Sequence, residues 1–539
     1  MCGIFFCCGS HSFETCFHSA RRLQPRGPDQ TTVLENEKFM CCFHRLKIND
    51  TSDNGNQPFY QDEVYVLCNG EIYNCHELNQ RYHLHCQSTS DCETILQLYL
   101  HYKSQQWDIQ QLPTELDGEF AFLIYDVTLQ CLYAGRDRYG VRPLFYSYTP
   151  HQLLFASEAK ALPRHPSTQQ FPPGSFLHYD IPHDQYTLTM YRPPFPTTFP
   201  SVSEDDALGE IRRLLTLAVE KRMMSDRPIG ALLSGGLDSS LVAAIASQYY
   251  QQVVAPTGKQ KKLQTFSIGF EGSTDTHCAA LVAQHIQSEH TTVTVTPETF
   301  LHALRETIHT IESYDITTVR ASVGNFFIAR YIRDHSECKV IFTGEYSDEV
   351  QGGYLYFKNA PSAEAFHEEC VRRVQDICYF DSLRADRCLS NMGLEARVPF
   401  SDFDFVEYYL QLPLPLQHNP DKIEKYLLRK AFDGTSLLPP SILYRPKEAF
   451  SDGVSHQEKS WYQIVQEYVN TLVSDDEFET HRHEYTWNPP FTKESYYYRK
   501  VFEEEYPTMG HLIPYYWMPK WNQDVSDPSA RVLSSYGHK

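Results

Sequence analysis

The stretch IGALLSGGLDSS, Ile229–Ser240, decides how the second half of the chain folds. Ile229–Leu233 is a short apolar run that reads as a buried strand. A Gly-Gly turn and a serine-rich helix entry follow directly, and Leu241–Ser247 continues with helical character. Strand, tight turn and helix N-terminus in that order aim backbone N–H groups and hydroxyls at one spot, where an anion is favoured. Glycine lets the backbone approach such an anion closely. For an isolated Gly-Gly, a serine-capped turn without a ligand would be the plainer reading. The ordered run Ser234–Ser240 after a hydrophobic strand argues against it. The loop lacks the Gly-Lys-Ser/Thr ending of a Walker A motif, so another mode of phosphate binding is expected.

Outward from this loop, strand-like and helical runs alternate: Gln264–Ile268, Ala279–Ile286, Val340–Thr343. That order predicts a parallel sheet covered by helices. Upstream, Glu204–Met223 carries Leu208, Ile211, Leu214, Leu215 and Ala218 at helical spacing. Before it, from about Pro182 to Ser203, the chain is proline-rich and suits a linker. The first part reads differently, with short aromatic and branched strands at Glu63–Cys68, Phe120–Tyr125, Cys131–Ala134 and Leu153–Ala156, separated by Gly, Asp, Asn and Pro turns. The tail past about Pro519 has weak structure signals and is expected along the surface.

With 539 residues, the chain exceeds the size at which one core usually splits, so two domains are the natural expectation. Hydrophobic residues make up 41% and charged residues 21%, ordinary globular usage. The net charge of −21, from 68 acidic against 47 basic residues, disfavours nonspecific binding to nucleic acid or anionic membranes. The 16 cysteines are scattered without zinc-ribbon spacing, and the start shows neither a basic region nor an apolar signal stretch. No run approaches the roughly 18 apolar residues of a membrane span. Free thiols in a reducing cytosol are the expectation.

The chain opens Met1-Cys2-Gly3-Ile4. Removal of Met1 before a small residue would leave Cys2 with a thiol and an α-amino group, whose ordinary pKa near 7.7–8.0 puts a base beside the nucleophile. Amide hydrolysis needs more: donors for a tetrahedral oxyanion and a holder for a zwitterion. Asn69 and the N–H of Gly70 suit the oxyanion, a role worth roughly 3–4 kcal/mol per donor in comparable sites. Arg45 suits an α-carboxylate through a bidentate fork, and Asp91 an α-ammonium. Singly these read as a surface arginine, a turn and a helix cap; together with Cys2 they read as a site.

The sequence closely resembles the glutamine-hydrolysing asparagine synthetases of eukaryotic type, over essentially its whole length. The blocks that carry the resemblance are MCGI, RGPD (Arg26–Asp29), FHRL (Phe43–Leu46), NGEIYN (Asn69–Asn74), GRDRYGVRPLF (Gly135–Phe145), SEAKAL (Ser157–Leu162), LLSGGLDSS, SYDITTVRAS (Ser313–Ser322), TGEYSDE (Thr343–Glu349), GLEARVPF (Gly393–Phe400), RPKEAFSDG (Arg445–Gly453) and YWMPKW (Tyr516–Trp521). The Ser234–Ser240 loop is similar to that of ATP pyrophosphatases, which release AMP and pyrophosphate. The resemblance implies an N-terminal αββα N-terminal-nucleophile glutaminase sandwich over residues 2–185, a linker over 186–203, and a C-terminal α/β ATP-pyrophosphatase domain with a parallel sheet over 204–539. Ammonia from glutamine would pass through an internal tunnel and convert β-aspartyl-AMP to asparagine.

Carried over residue by residue, Cys2 is implied as the nucleophile. Arg45, Leu46, Lys47, Ile48, Asn49, Asn69, Gly70, Glu71 and Asp91 are implied in the glutamine pocket. Leu233, Ser234, Gly235, Gly236, Asp238, Ser239, Ile268, Thr343 and Gly344 are implied around ATP. Glu345 is implied as the acid that supports adenylate formation and deprotonates ammonia, Lys447 as the cation at the α-phosphate, and Asp238 with Asp348 as ligands of Mg2+. The implied partners are glutamine, aspartate and ATP, with a homodimer as the assembly and no nucleic acid or membrane. Three positions depart from the family pattern: Pro25 replaces a histidine, Tyr346 replaces a glycine, and Asp275–Val282 lacks a basic residue before its valine. A β-lactam-forming enzyme, a sugar amidotransferase and a non-catalytic homologue are the competing readings. The intact Cys2, Asp238, Glu345 and Lys447 weigh against the last, and the Ser234–Ser240 loop against the sugar amidotransferase.

Overall fold

Period-two alternation sorts the side chains of the first unit into two cores. In the strand Gly118–Asp126, Ala121, Leu123 and Tyr125 point to one side, where they meet Ile4, Phe6 and Cys8 of the strand Gly3–Gly9. Phe120, Phe122 and Ile124 point to the other, against Ile95, Leu98 and Tyr99 of the helix Glu93–Gln105. Both faces are therefore covered, and the strand is apolar nearly throughout rather than half polar. The computed structural model describes residues 1–254, 262–455, 459–522 and 525–533. It divides into one unit of Met1–Pro194 with Met224–Arg227 and Leu389–Glu395, and a second of Phe195–Met223, Pro228–Cys388 and Ala396–Lys539.

The first unit holds two six-stranded sheets. One runs, edge to edge, Thr168–Gln170, Phe145–Thr149, Gln152–Ala156, Gly3–Gly9, Phe39–Arg45, Gln30–Glu35; the other Gln185–Met190, Ser175–Asp180, Cys131–Arg136, Gly118–Asp126, Val64–Ile72, Phe59–Gln61. Pairing across Gly3–Gly9 is antiparallel on both sides, Phe5 standing opposite Cys42 and Ala156. The helix Phe13–Arg21 packs against the first sheet, while Cys75–Arg81 and Glu93–Gln105 pack against the second. This is the αββα arrangement expected. Gln185–Met190 corrects the expected linker: Tyr186, Thr187, Leu188 and Thr189 are strand formers, and they pair with Ser175–Asp180 before the prolines begin at Pro193.

The second unit is built as its motif predicts. Glu289–Thr294, Gln264–Gly269, Ile229–Leu232 and Val340–Phe342 are consecutive and parallel in its sheet. The helix Glu204–Lys221 starts on Ser203, whose hydroxyl accepts from the N–H of Asp206, and buries Ile211, Leu214, Leu215 and Ala218. The helix Leu237–Tyr249 is buried almost along its length. Part of the tail past Pro519 lies outside the described residues.

Candidate functional site

Cys2 stands immediately before the strand Gly3–Gly9, so the sheet fixes its backbone. Its N–H donates to Asn69 Oδ1 at 2.8 Å, and its Sγ lies 3.8 Å from the Leu46 carbonyl. Burial pushes the thiol up, and the adjacent amino-terminal charge opposes that. Because Oδ1 of Asn69 is taken, its amide orientation is set. Its Nδ2 is buried with no hydrogen-bond partner among the described residues. A buried unpaired donor costs about 1–3 kcal/mol, which a developing oxyanion would recover. At Gly70 the chain passes so close to its neighbour that a Cβ would sit 2.1 Å from the Glu119 carbonyl oxygen.

Asn49, Glu71 and Asp91 converge. Asn49 Nδ2 donates to Glu71 and, at 3.1 Å, to Asp91 Oδ1, while Asp91 Oδ2 accepts from the N–H of Ile72 at 2.7 Å. Both carboxylates are buried. Lys47 lies to the side: its N–H bonds Asp29 Oδ2 at 2.9 Å and its ammonium bonds Asp53 at 3.1 Å. The carbonyl of Ile48 accepts from Asp226. Arg45 departs from the open fork expected. Its two terminal nitrogens donate to the carbonyls of Asn49, Asp50 and Ser52 and to Asn56 Oδ1, wrapping the loop around the guanidinium.

Sequence reasoning gave no role to Arg26, although it lies in RGPD. It is fully buried, its Nε donates to the Cys2 carbonyl at 3.0 Å, and Nη1 reaches Glu158 and Ser390 Oγ. Pro25 falls in the first turn of the short helix Gln24–Arg26, where a missing N–H costs nothing.

In the second unit the strand Ile229–Leu232 delivers the Ser234–Gly236 turn to the helix at Leu237. Gly235 has φ +74°, and a Cβ there would lie 2.5 Å from the Ala279 nitrogen. Ser234 and Ser239 hydroxyls bond at 3.0 Å, closing the turn. Leu233, Ser234, Gly236, Asp238, Ser239, Ile268, Thr343 and Gly344 line one cleft with Glu345, Asp348 and Lys447; Gly235 shapes the turn from behind. The Thr343 hydroxyl is buried without a partner among the described residues.

Lys425 joins the acidic groups, and no motif in the sequence pointed to it. Its ammonium is 2.6 Å from both Asp238 Oδ2 and Asp348 Oδ1. Lys447 pairs with the other oxygen of Asp348. These two lysines hold Asp348 well below the usual carboxylate range despite its burial, and Asp348 in turn helps raise Lys447. Glu345 is pushed up by burial, opposed by Arg384, whose Nη2 donates to it at 2.9 Å. Tyr346, which replaces a glycine of the family pattern, has a left-handed backbone, φ +76°, and its ring is fully buried. Asp275, pushed up to about 6 by burial, bonds Arg445 at 2.7 Å.

The fold is that of an N-terminal-nucleophile amidotransferase joined to an α/β unit whose Ser234–Gly236 turn and helix entry line a cleft of the kind that suits a phosphate. The profile of the family described as "Glutamine amidotransferase domain" matches residues 1–183, and that of "Asparagine synthase" matches 210–365 and 358–527. Glutamine-hydrolyzing asparagine synthetases of Gallus gallus and Homo sapiens are each 41% identical, and that of Cricetulus griseus 42%, with 99% of this chain and 99% of each relative covered. The chain belongs to the glutamine-hydrolysing asparagine synthetase family.

Proposed function

We propose that this chain makes L-asparagine from L-aspartate and ATP with nitrogen from L-glutamine, releasing AMP, pyrophosphate and L-glutamate. In the first half-reaction, once Met1 has been removed, the Cys2 thiol gives its proton to the freed Cys2 amine and attacks the glutamine Cδ. Asn69 Nδ2 and the Gly70 N–H hold the oxyanion. Ammonia leaves, and water hydrolyses the thioester to glutamate. Glu71 and Asp91, bridged by Asn49, take the substrate ammonium; Leu46–Ile48 wall the pocket. Arg45 offers its positive charge to the α-carboxylate from behind the Asn49–Ser52 loop.

In the second, the aspartate β-carboxylate attacks the α-phosphorus and pyrophosphate leaves. Ser234–Ser239 cradles the phosphates, with Leu233, Ile268, Thr343 and Gly344 around the nucleoside. Lys447 stabilises charge growing on the α-phosphate oxygens. Ammonia then attacks the acyl carbon, Glu345 accepts its proton, and AMP departs. Asp238 and Asp348 fit Mg2+, because their carboxylates converge on one cation 2.6 Å away, now the Lys425 ammonium. Such an ion takes one or two carboxylates plus phosphate and water, and would neutralise phosphate charge when bound.

The observation that carries this reading is the 41% identity with such enzymes over 99% of the chain, with an unpaired Asn69 donor beside Cys2. The proposal keeps a glutaminase domain and an ATP-pyrophosphatase domain over 204–539, with the linker beginning only after the strand Gln185–Met190, a cytosolic location and a homodimer. It assigns no nucleic-acid or membrane partner, since the net charge of −21 disfavours nonspecific binding to either. Aspartate-dependent exchange of labelled pyrophosphate into ATP tests it: exchange should need aspartate and vanish in Asp238→Ala. Exchange without aspartate, or none at all, would overturn the second half-reaction.

A further inference from the structure

Tyr346 combines two features that rarely coincide. A non-glycine residue with φ +76° is strained, and such strain persists only where surroundings over-determine it. What surrounds Tyr346 is specific. Its ring is fully buried and lines the cleft beside Glu345, and its hydroxyl donates to Ser382 Oγ at 3.2 Å. Ser382 belongs to the first turn of the helix Asp381–Ser390, which also carries Asp381 and Arg384. Arg384 Nη2 in turn donates to Glu345 Oε2 at 2.9 Å and to Asp381 Oδ1 at 2.6 Å.

These contacts close a circuit. From Glu345 the ion pair leads to Arg384, two residues of helix backbone lead back to Ser382, the hydroxyl bond leads to Tyr346, and one peptide returns to Glu345. The two links tie adjacent residues of the loop to the same helix. We propose that Tyr346 is a positioning residue for the second half-reaction, bracing the Glu345 loop against the helix through Ser382. The inference rests on the reading of Glu345 as the group that takes the ammonia proton. Arg384, Asp381, Lys447 and Asp348 are the charged groups that face Glu345, and Arg384 is the largest influence among them. A loosened brace weakens the Arg384 contact, so the Glu345 carboxyl should titrate at higher pH.

Ammonia-dependent asparagine formation by the full chain tests this with Tyr346→Phe, Ser382→Ala, the double variant and Ser382→Thr. Each of the first two should lower kcat about three- to tenfold, the loss expected for one positioning hydrogen bond, and move the acid limb of the pH profile upward. The KM for ATP should stay within about twofold of the parent. The double variant should be no worse than the worse single one, and Ser382→Thr, which keeps the hydroxyl, should restore the rate. Multiplying effects in the double variant, or an unmoved acid limb with a parental kcat, would overturn the brace. Glu345→Gln separates the two ideas. If it abolishes the rate while Tyr346→Phe does nothing, the brace falls and the reading of Glu345 stands; if it is fully active, that reading falls, and the proposal with it.

Discussion

On the proposed mechanism, glutamine hydrolysis turns on Cys2 and Asn69. Cys2→Ala should abolish it while ammonia-dependent synthesis persists, measured by glutamate release and asparagine formation in parallel. Asn69→Ala removes the unpaired Nδ2 and should cost about 10²–10³-fold in glutaminase kcat, with a smaller change in KM; a loss confined to KM would move Asn69 out of the oxyanion site. The proximity of Cys2 and Asn69 was foreshadowed because both signals are local, a thiol at the chain start and an Asn-Gly after a strand, and the structure brings them within hydrogen-bond distance. Arg45 was legible as a buried-site arginine but not in its use, since its carbonyl partners depend on how the loop to Asn56 folds back. Lys425 was invisible. It lies between unremarkable residues, and only the fold brings it to Asp238 and Asp348. Lys425→Ala should suppress aspartate-dependent pyrophosphate exchange at least about tenfold, since two carboxylates would lose a cation about 1.4 kcal/mol or more in value; parental exchange would show the lysine to be structural only.

At the scale of elements, the strand–turn–helix around Gly235 was readable because a glycine pair after an apolar strand has one physical meaning; the serines cap no helix but bond each other across the turn, and Gly236 is the N-cap. Gly235→Ala is the sharpest probe of it. Its φ of +74° disfavours any side chain, and the added Cβ would press on Ala279 and Cys278 backbone atoms that cannot retreat. The KM for ATP should rise at least about tenfold, with the melting temperature only modestly lowered. An unaltered KM would mean that the turn does not shape the nucleotide site. The strand Gln185–Met190 was missed for the opposite reason. It is an edge strand, largely exposed, and its signal was outweighed by the prolines that follow. Edge strands lack the buried face that makes period-two patterns stand out.

For the molecule as a whole, three buried aspartates set a pH dependence. Asp275, Asp315 and Asp452 are each pushed up to about 6 by burial. A carboxyl whose folded pKa lies above its unfolded value binds its proton more tightly when folded. Its contribution is therefore full below about pH 3.8 and is lost as pH rises through about 6. Melting temperature should rise as pH falls from about 7.5 to 5.5, and Asp315→Asn should flatten that slope; a steeper slope in the variant would contradict the sign. The two-unit division was legible in the change of period alone, and the four-layer sandwich followed from the family resemblance rather than from spacing. The central claim is that nitrogen released at Cys2 ends in asparagine at the expense of ATP cleaved to AMP. Incubation with amide-15N glutamine, aspartate and ATP in unlabelled ammonium buffer tests this most directly. Asparagine carrying 15N in its side-chain amide, with AMP formed in equal amount, is the predicted result; unlabelled asparagine, or ADP in place of AMP, would contradict it.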